Sequence, residues 1–281
     1  MRVMMAKFGK VTRTLPINPQ IWFKLQLLKS LVQRDLEARY KGSILGNWWP
    51  LLNQLSQLLI YTYVFSIVLK VKLSLHGLPE NNFTFGMWLY AGLLPWGAFT
   101  AGFTQSAASV ISQPNLVKKI VFPLALLPLV PVFSAFIESS VGLILLILIV
   151  GIFSHTVHLS LCLLPMVWLP QVLLTAGLGY LAAGLTVFLR DIPQGLGVLT
   201  NLWLYLTPVV YPASVIPEEW RTWVFWLNPL AAIVELYRDI VLEGQIKHWT
   251  EWGTASLISV IIFYLGFWSY RRLRPAFADV L

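Results

Sequence analysis

The chain has 281 residues, of which 57% are hydrophobic and 11% are charged, and its formal net charge is +8. Because a soluble domain carries about 25% charged residues, this composition excludes an ordinary soluble enzyme and predicts a polytopic membrane protein. The positive charge would favour nucleic-acid binding on a soluble domain. Here it flanks apolar segments, so we expect a topological role and no nucleic-acid partner.

The region before the first apolar segment is mixed and basic, without the pattern of a secretory signal peptide. From Ile21, apolar residues recur at intervals of three and four, which predicts an amphipathic helix over 20–41 on the cytoplasmic leaflet. Arg34, Arg39 and Lys41 come just before the first span, where basic side chains favour anionic headgroups. The alternative is a basic flank that only fixes topology.

Six apolar segments are long enough to cross a bilayer, which takes about 20 residues. They lie at 48–69, 83–111, 124–151, 159–189, 193–211 and 252–270. The third contains Glu138, and an acid near the midplane costs about 2.5–3.5 kcal/mol to insert. We interpret Glu138 as a protonated or hydrogen-bonded acid at a helix or subunit interface, with a role in the transport path as the alternative.

The basic residues predict the orientation of these spans. With the N-terminus inside, fifteen of the 20 Lys and Arg residues fall on the cytoplasmic side, as the positive-inside rule requires. The expected fold is therefore an all-α membrane protein, a single transmembrane domain over 1–281 with six spans and both termini in the cytoplasm.

Two short cytoplasmic turns carry charge. They span 113–123 and 190–192. The first, QPNLVKKIVFP, contains Lys118 and Lys119, and the second contains Arg190 and Asp191. Because both turns are continuous with spans, we interpret them as surfaces through which a cytoplasmic partner moves the helices. For Arg190 and Asp191, a local ion pair or a topology anchor is the alternative.

The region 212–250 is too apolar for a solvated loop and too broken for a span. Acids after Pro217 and the pair Asn228-Pro229 each predict the start of a short helix. Helices of this length are typical of re-entrant or interfacial segments, and we place these two at the external surface. The first carries a tryptophan at every third position: Trp220, Trp223 and Trp226.

No pattern for catalysis or metal binding stands out. A G-x-x-x-x-G-K-[ST] nucleotide-binding loop is absent, so we expect a separate partner to hydrolyse any ATP. His155 and His158 are three residues apart but lack further ligands, and we interpret them as interfacial loop residues. The single cysteine, Cys162, lies in an apolar run and is predicted to be buried. We expect no metal or cofactor in this chain.

Aromatic side chains recur within the first, second and fifth spans. Buried tyrosine and tryptophan need a partner for their polar atom, which a wet path would supply, and sugar C–H faces stack on aromatic rings. The alternative is interfacial belts and ordinary packing. The candidate lining residues are Tyr61, Tyr63, Trp88, Tyr90, Trp203, Tyr205 and Tyr211.

Several segments together carry a family resemblance. They are RDLEARYKGSILGNWWPLLNQ at 34–54, PNLVKKIVFP at 114–123, FLRDIP at 188–193, TPVVYPASVIPEEWR at 207–221 and LNPLAAIVELYRDIVLEG at 227–244. Jointly they resemble the membrane permease subunit of bacterial ABC exporters for lipid-linked polysaccharides such as O-antigen, capsule and teichoic acid. The resemblance covers nearly the whole chain.

The resemblance implies a homodimer in the bacterial inner membrane, paired with two copies of a cytoplasmic subunit that binds ATP and Mg²⁺. It implies a channel between protomers that is lined by aromatic residues and closed outside by the re-entrant helices with their three tryptophans. The ATPase would contact Asn115, Lys118, Lys119, Arg190 and Asp191. Arg34, Arg39 and Lys41 would meet the diphosphate of the substrate, which the planar arginine fork suits.

Other functions stay open at this stage. Exporters of drugs or small lipids share the topology. A membrane transferase acting on a lipid-linked sugar would need converging acids, for which Glu218, Glu219, Glu235 and Asp239 are the candidates. A transporter driven by an ion gradient is disfavoured because intramembrane charge is scarce.

Overall fold

The computed structural model of the protein describes residues 19–70, 82–118, 122–154 and 158–281. These residues form helices and turns without a strand, which confirms the all-α class for this part of the chain. Lys119 and His155 lie outside the described residues.

Helix α1 (Pro19–Tyr40) occupies the segment predicted to lie on the leaflet. Its first turns expose Ile21 and Leu25, whereas Val32 in its second half is buried. That second half packs against α5, defined below. The helix therefore has an exposed N-terminal part and a C-terminal part that is attached to the bundle.

A helix occupies each of the six predicted spans. They are α2 (Trp49–Tyr61, continued by the π-helical turn Thr62–Val68), α3 (Asn82–Ala108), α5 (Leu129–Ser154), α6 (Leu164–Thr186), α7 (Ile192–Leu206) and α10 (Trp249–Leu273). In the described chain, three helical runs are long and apolar enough to cross a membrane: Leu124–Phe153, Leu159–Thr186 and Trp249–Val280. The six-span topology and its orientation stay predictions.

Shorter helices lie between the long ones and, in one case, after α10. They are α4 (Pro114–Val117), α8 (Glu218–Leu227), α9 (Pro229–Arg238, continued by the π-helical turn Asp239–Glu243) and α11 (Phe277–Val280). Helix α9 starts as the sequence predicts, because the Asn228 side chain accepts a hydrogen bond from the Leu230 amide and Pro229 occupies the first turn. A left-handed Gly244 follows it.

Helix α3 lies at the centre of the bundle. It contacts α2, α5, α6, α7 and α9, and most of its first half is buried. Helix α9 is buried along its whole length, between α3 and α10. The region 212–250 therefore does not form a surface loop, because its second helix belongs to the main hydrophobic core.

The closest helix contact joins α6 and α10. A Cβ atom added to Gly177 would lie 2.6 Å from the Cα of Phe263, and one added to Gly266 would overlap the carbonyl group of Gly177. Small residues at such crossings let two backbones approach closely and maximise their dispersion contacts. These two glycines therefore hold α6 and α10 together as a pair.

Cys162 is exposed, so the prediction that it is buried is wrong. It lies in the 3₁₀ turn Leu159–Leu163, which precedes α6 rather than being packed within it. In that turn the inward position belongs to Ser160, whose hydroxyl donates to the Ile240 carbonyl oxygen at 2.8 Å.

Replacing Gly177 with alanine is expected to destabilise the bundle by about 1–3 kcal/mol, because the new methyl group meets the α10 backbone, which has no rotamer with which to move aside. The unfolding midpoint in detergent, followed by temperature-dependent size exclusion, measures the effect. Gly253→Ala on α10 is the matched control, since its Cβ would meet nothing within 4 Å. Equal midpoints for the two variants would contradict the close contact.

Candidate functional site

The first predicted coupling segment is attached to the bundle by a small separate core. Asn115 in α4 and Lys118 directly after it are exposed, while Val117 is buried. Val117 belongs to an apolar cluster with Val187 at the end of α6 and Phe277 in α11. We call this cluster the coupling core; its buried members are Val110, Val117, Leu124, Leu127, Tyr180, Ala183, Val187, Tyr270 and Phe277.

Two tyrosine hydroxyls reinforce the coupling core. Tyr180 of α6 donates to the carbonyl oxygen of Ala125 at 2.7 Å, and Tyr270 of α10 donates to that of Leu124 at 3.0 Å. Both carbonyls belong to the 3₁₀ turn Leu124–Leu126, which leads from the coupling segment into α5. The segment is thus tied to α6 and α10 by directional bonds as well as by apolar packing.

The second predicted coupling segment starts from the same core. Arg190 and Asp191 are exposed, and they follow the buried Val187 by a single turn. The structure therefore brings the bases of both segments together, through side chains that sequence reasoning had not selected. Lys118, Arg190 and Asp191 are all available on the surface, which a docking partner requires.

A polar cluster joins α1 to the bundle near the start of the first span. Arg39 donates to Asp35 within α1 at 2.9 Å, to Glu138 of α5 at 3.1 Å and to Gln105 of α3. Tyr40 donates to the other carboxylate oxygen of Glu138 at 2.9 Å. We call these five residues the α1 clasp.

The clasp gives Glu138 partners that lie outside its own span. Both carboxylate oxygens accept a hydrogen bond from α1, which accounts for an acid inside an apolar helix. Burial, and then the hydrogen bond to Glu138, raise the pKa of Tyr40 to about 12, so its hydroxyl stays a donor at neutral pH. This arrangement agrees with the interpretation of Glu138 as a hydrogen-bonded acid at a helix interface.

The three residues predicted to bind the headgroup differ in how accessible they are to an anion. Arg34 and Lys41 are exposed, but Arg39 is half-buried and makes hydrogen bonds to three side chains. An anion could approach Arg34 and Lys41 freely, whereas at Arg39 it would compete with bound carboxylates.

The candidate lining residues fall into two groups. Trp88 and Tyr90 of α3 are buried inside one protomer, where Tyr90 donates to Gln54 at 2.9 Å, so neither reaches the surface of a single chain. The other candidates are half-buried or exposed: Tyr61, Tyr63, Trp203, Tyr205 and Tyr211. Trp203 packs edge-on against Phe99 of α3 with ring centroids 5.3 Å apart. The lining role of all seven residues stays a prediction, and in one chain only this second group has exposed surface.

The three tryptophans of the predicted gate share the outer face of α8. Trp220, Trp223 and Trp226 are each more than half exposed, and Phe225 is the buried anchor on the opposite side. The face they form is left exposed by the residues that the structure describes.

Arg238 is a buried residue that sequence reasoning assigned to the exterior. Its guanidinium lies 3.5 Å above the Trp88 ring and donates to the carbonyl oxygens of Pro208 at 2.8 Å and Val209 at 2.6 Å. It also pairs with Glu235 at 2.8 Å. An added Cβ on Gly92 would meet this guanidinium, so that glycine makes room for it. The sequence feature that could have indicated this buried role is an arginine within the apolar run that follows Asn228-Pro229.

Asp239 organises the chain that leads from α9 into α10. Its carboxylate accepts hydrogen bonds from the Lys247 amide at 2.8 Å and the His248 amide at 3.2 Å, and contacts the His248 ring nitrogen at 2.9 Å. The imidazole stacks on Phe225 of α8 with ring centroids 6.0 Å apart. Asp239 thus links α8, α9 and α10.

The four acids proposed for a transferase do not form one site. Glu235 and Asp239 are buried and engaged with Arg238 and His248, while Glu218 and Glu219 are exposed at the start of α8. Among the residues that the structure describes, no group of three or more His, Cys, Asp or Glu side chains could hold a metal ion.

A helical bundle of apolar spans, with charged surface segments attached to a shared core, is the arrangement expected of the membrane subunit of a transporter. The chain belongs to the ABC-2 type transporter family, whose model matches residues 26–242. It is a multi-pass protein of the inner membrane, and membership implies pairing with an ATP-binding subunit.

Relatives extend over almost the full chain. The O-antigen export system permease protein RfbA of Myxococcus xanthus is 30% identical over 254 residues, which are 90% of this chain and 94% of the relative. The protein of the same name from Klebsiella pneumoniae is 28% identical over 261 residues, covering 92% and 96%. The polysialic acid transport protein KpsM of Escherichia coli is 22% identical over 250 residues, covering 89% and 94%. These comparisons confirm the resemblance drawn from the sequence.

The His248–Asp239 pair is expected to make stability depend on pH. The hydrogen bond to Asp239 raises the pKa of His248 above its ordinary value, despite the opposing effect of burial. The stabilisation is therefore fully present below about pH 6.5, the unfolded pKa of histidine, and is lost as pH rises through the higher folded pKa. The difference in unfolding midpoint between the wild type and His248→Gln should be largest in the acidic range and shrink with rising pH. A constant difference would contradict the ion pair.

Proposed function

We propose that this chain is the channel-forming subunit of an ATP-driven exporter that moves a lipid-linked polysaccharide, of the undecaprenyl type, from the cytoplasm to the outer face of the inner membrane. Two copies would pair with two ATP-binding subunits, which would hold the ATP and Mg²⁺. The coupling core carries this proposal, because it roots two exposed charged segments in one rigid cluster. The names of the relatives, O-antigen export permease and polysialic acid transport protein, support the polymer as cargo.

Force would enter at the two coupling segments. Closure of the ATP-binding subunits would push on 115–120 and on Arg190 and Asp191. The tyrosine bonds to the turn Leu124–Leu126 would pass that push to α6 and α10, and the turn itself would pass it to α5. Packed interfaces tend to switch between discrete arrangements, so a small displacement here would become a tilt of whole helices.

The channel would form between the exposed faces of α2 and α7 of two protomers. Both helices pack against α3, and both expose polar side chains where lipid-facing residues should be apolar. The exposed polar residues are Asn53, Ser56 and Gln57 on α2, and Gln194 and Asn201 on α7. Helix α7 also carries Gly195 and Gly197 with open space beyond them, which would let a second backbone approach closely.

Aromatic residues would complete that path. Tyr63 and Tyr205 are exposed on the same two helices, and Tyr61 and Trp203 are half-buried there. Ring faces that alternate with amides suit a sugar chain, which offers both C–H faces and hydroxyl groups.

The outer end would be closed by α8 and α9 as a re-entrant pair. Arg238 bonds α9 to the carbonyls of Pro208 and Val209, directly after α7. Movement of α7 would therefore carry this pair with it, along with the exposed tryptophans of α8. At the other end of the molecule, Arg34, Arg39 and Lys41 would receive the diphosphate that links lipid to polymer.

Reversing the charge of Lys118 is expected to weaken the association with the ATP-binding subunit. Lys118→Glu should reduce affinity roughly tenfold, or about 1.4 kcal/mol, because a docking surface that attracts a lysine repels a carboxylate. Co-purification of the ATP-binding subunit and ATP-dependent export in a strain that lacks the native chain are the measurements. Lys119→Glu tests the neighbouring residue in the same way.

Lys70→Glu is the matched control for this experiment, because Lys70 is an exposed lysine at the far end of the first predicted span. It should leave association unchanged. Normal co-purification and export with Lys118→Glu would remove the coupling role of this segment.

Cysteine cross-linking tests the homodimer and its interface. In a Cys162→Ser background, Asn201→Cys on α7 should form a covalent dimer with a short bifunctional reagent in native membranes. Leu257 on α10 is also exposed but lies outside the proposed interface, so Leu257→Cys should remain monomeric. Cross-linking at position 257 but not at 201 would place the interface on α10 and contradict the proposed channel.

A further inference from the structure

The α1 clasp contains a charge that is both paired and reachable. The Arg39 side chain is 21% exposed, and its carboxylate partners Asp35 and Glu138 are 33% and 20% exposed. Arg238, the other arginine bound between helices, has a side chain only 2% exposed. A ligand can therefore approach the first arginine but not the second.

The surroundings of Arg39 favour an anion. Arg34 and Lys41 are exposed on either side of it in the chain and carry no carboxylate partner among the described side-chain contacts. A phosphate group offers an arginine the same bidentate geometry as a carboxylate, with more charge. Near Arg39, however, such a group meets two carboxylates that repel it and already hold the guanidinium.

On the basis of the proposed function, we propose that Glu138 and Asp35 are resident counter-ions of Arg39. The diphosphate of a lipid-linked substrate binds at this end of α1 by displacing these two carboxylates from the guanidinium. Glu138 is then a positioning residue. It keeps Arg39 docked when no substrate is present and sets how tightly the diphosphate is held. No covalent step is involved.

The exchange has a structural consequence. Glu138 belongs to α5, and Gln105, the third acceptor of Arg39, lies one turn before the end of α3. Both helices lead into the coupling segment between them. Withdrawal of Arg39 would loosen α1 from α5 and α3, so occupancy of the headgroup site would reach the segment that meets the ATP-binding subunit.

Binding of a lipid diphosphate to the purified chain tests the exchange. The protein is placed in nanodiscs of phosphatidylcholine, and undecaprenyl diphosphate is titrated, with uncharged undecaprenol as the reference lipid. Glu138→Gln and Asp35→Asn should each tighten binding about three- to tenfold, because each removes a competing charge. Arg39→Gln should weaken binding by a similar factor.

Glu37→Gln is the matched control. Glu37 lies on α1 and contacts Gln33 rather than Arg39, so this variant removes the same charge from the same helix without freeing the guanidinium. Its affinity should stay close to that of the wild type. If Glu37→Gln tightened binding as much as Glu138→Gln, the effect would be general electrostatics and the exchange would be refuted.

The remaining outcomes are also decisive. Unchanged or weaker binding by both Glu138→Gln and Asp35→Asn would overturn the proposal, since a merely structural role predicts loss and not gain. Should Glu138→Gln fail to fold, Asp35→Asn alone decides, because it leaves α5 intact. Equal effects with phosphatidylglycerol or inorganic diphosphate in place of the lipid diphosphate would overturn the assignment to the substrate.

A separate experiment tests the proposed function. Export of polysaccharide by cells that carry the wild-type chain, and its loss when the gene is deleted, tests that function without reference to Arg39. If the wild-type chain exports polysaccharide but the substitutions at Glu138 and Asp35 leave the affinity for the diphosphate unaltered, the exchange is refuted and the proposed function is not.

Discussion

The bundle depends on side chains that bind backbone carbonyl groups where helices end or bend. In an apolar environment an unpaired carbonyl is costly, and water is not at hand to satisfy it. Here the donors come from distant helices: Arg238 binds Pro208 and Val209, Tyr180 and Tyr270 bind the turn Leu124–Leu126, Ser160 binds Ile240 and Gln171 binds Pro95. Each bond ties two elements that are distant in the chain, and so determines which parts move together.

These bonds cooperate with close backbone packing. The glycines at the α6–α10 crossing bring two helices into direct contact, and those same helices supply the tyrosines of the coupling core. The pair forms a rigid frame at the end where a partner subunit would press. Helix α1 is different, because its attachment rests on a half-exposed polar cluster. The close-packed pair α6 and α10 would therefore transmit movement, whereas the polar contact of α1 would be adjustable.

The ionic clusters around Arg238 and Arg39 differ in the same way, because the first is buried and the second is partly exposed. Around Arg238, a ring face, three carbonyls and one carboxylate enclose the charge, and Gly92 leaves room for it. Removing one partner from such a site leaves an uncompensated charge, which costs several kcal/mol and argues for a permanent structural role. Around Arg39, solvent reaches every partner, so the pairing energy is smaller and the partners can be exchanged.

Much of the fold could be predicted from local patterns. The apolar segments coincide with helices, Asn228-Pro229 begins a helix, and Lys118, Arg190 and Asp191 lie in turns between helices, because hydropathy and capping act over a few residues. The orientation rests on the distribution of lysine and arginine alone. Cys162 was misplaced because a 3₁₀ entry turn and the helix it precedes have the same composition.

The sequence by itself determined which segments are helical and which charges flank them. Only the tertiary structure decided their partners. The sequence could not name the partner of Glu138, because Arg39 is 99 residues away in the chain. Arg238 was placed at the external surface, because its carbonyl acceptors at Val209 and Pro208 lie 29 and 30 residues before it. The sequence also could not show that Trp88 and Tyr90 are buried within one chain, which follows from the central position of α3. The physical reason is that hydropathy reports how apolar a helix is, whereas its rotation and neighbours determine what each side chain meets.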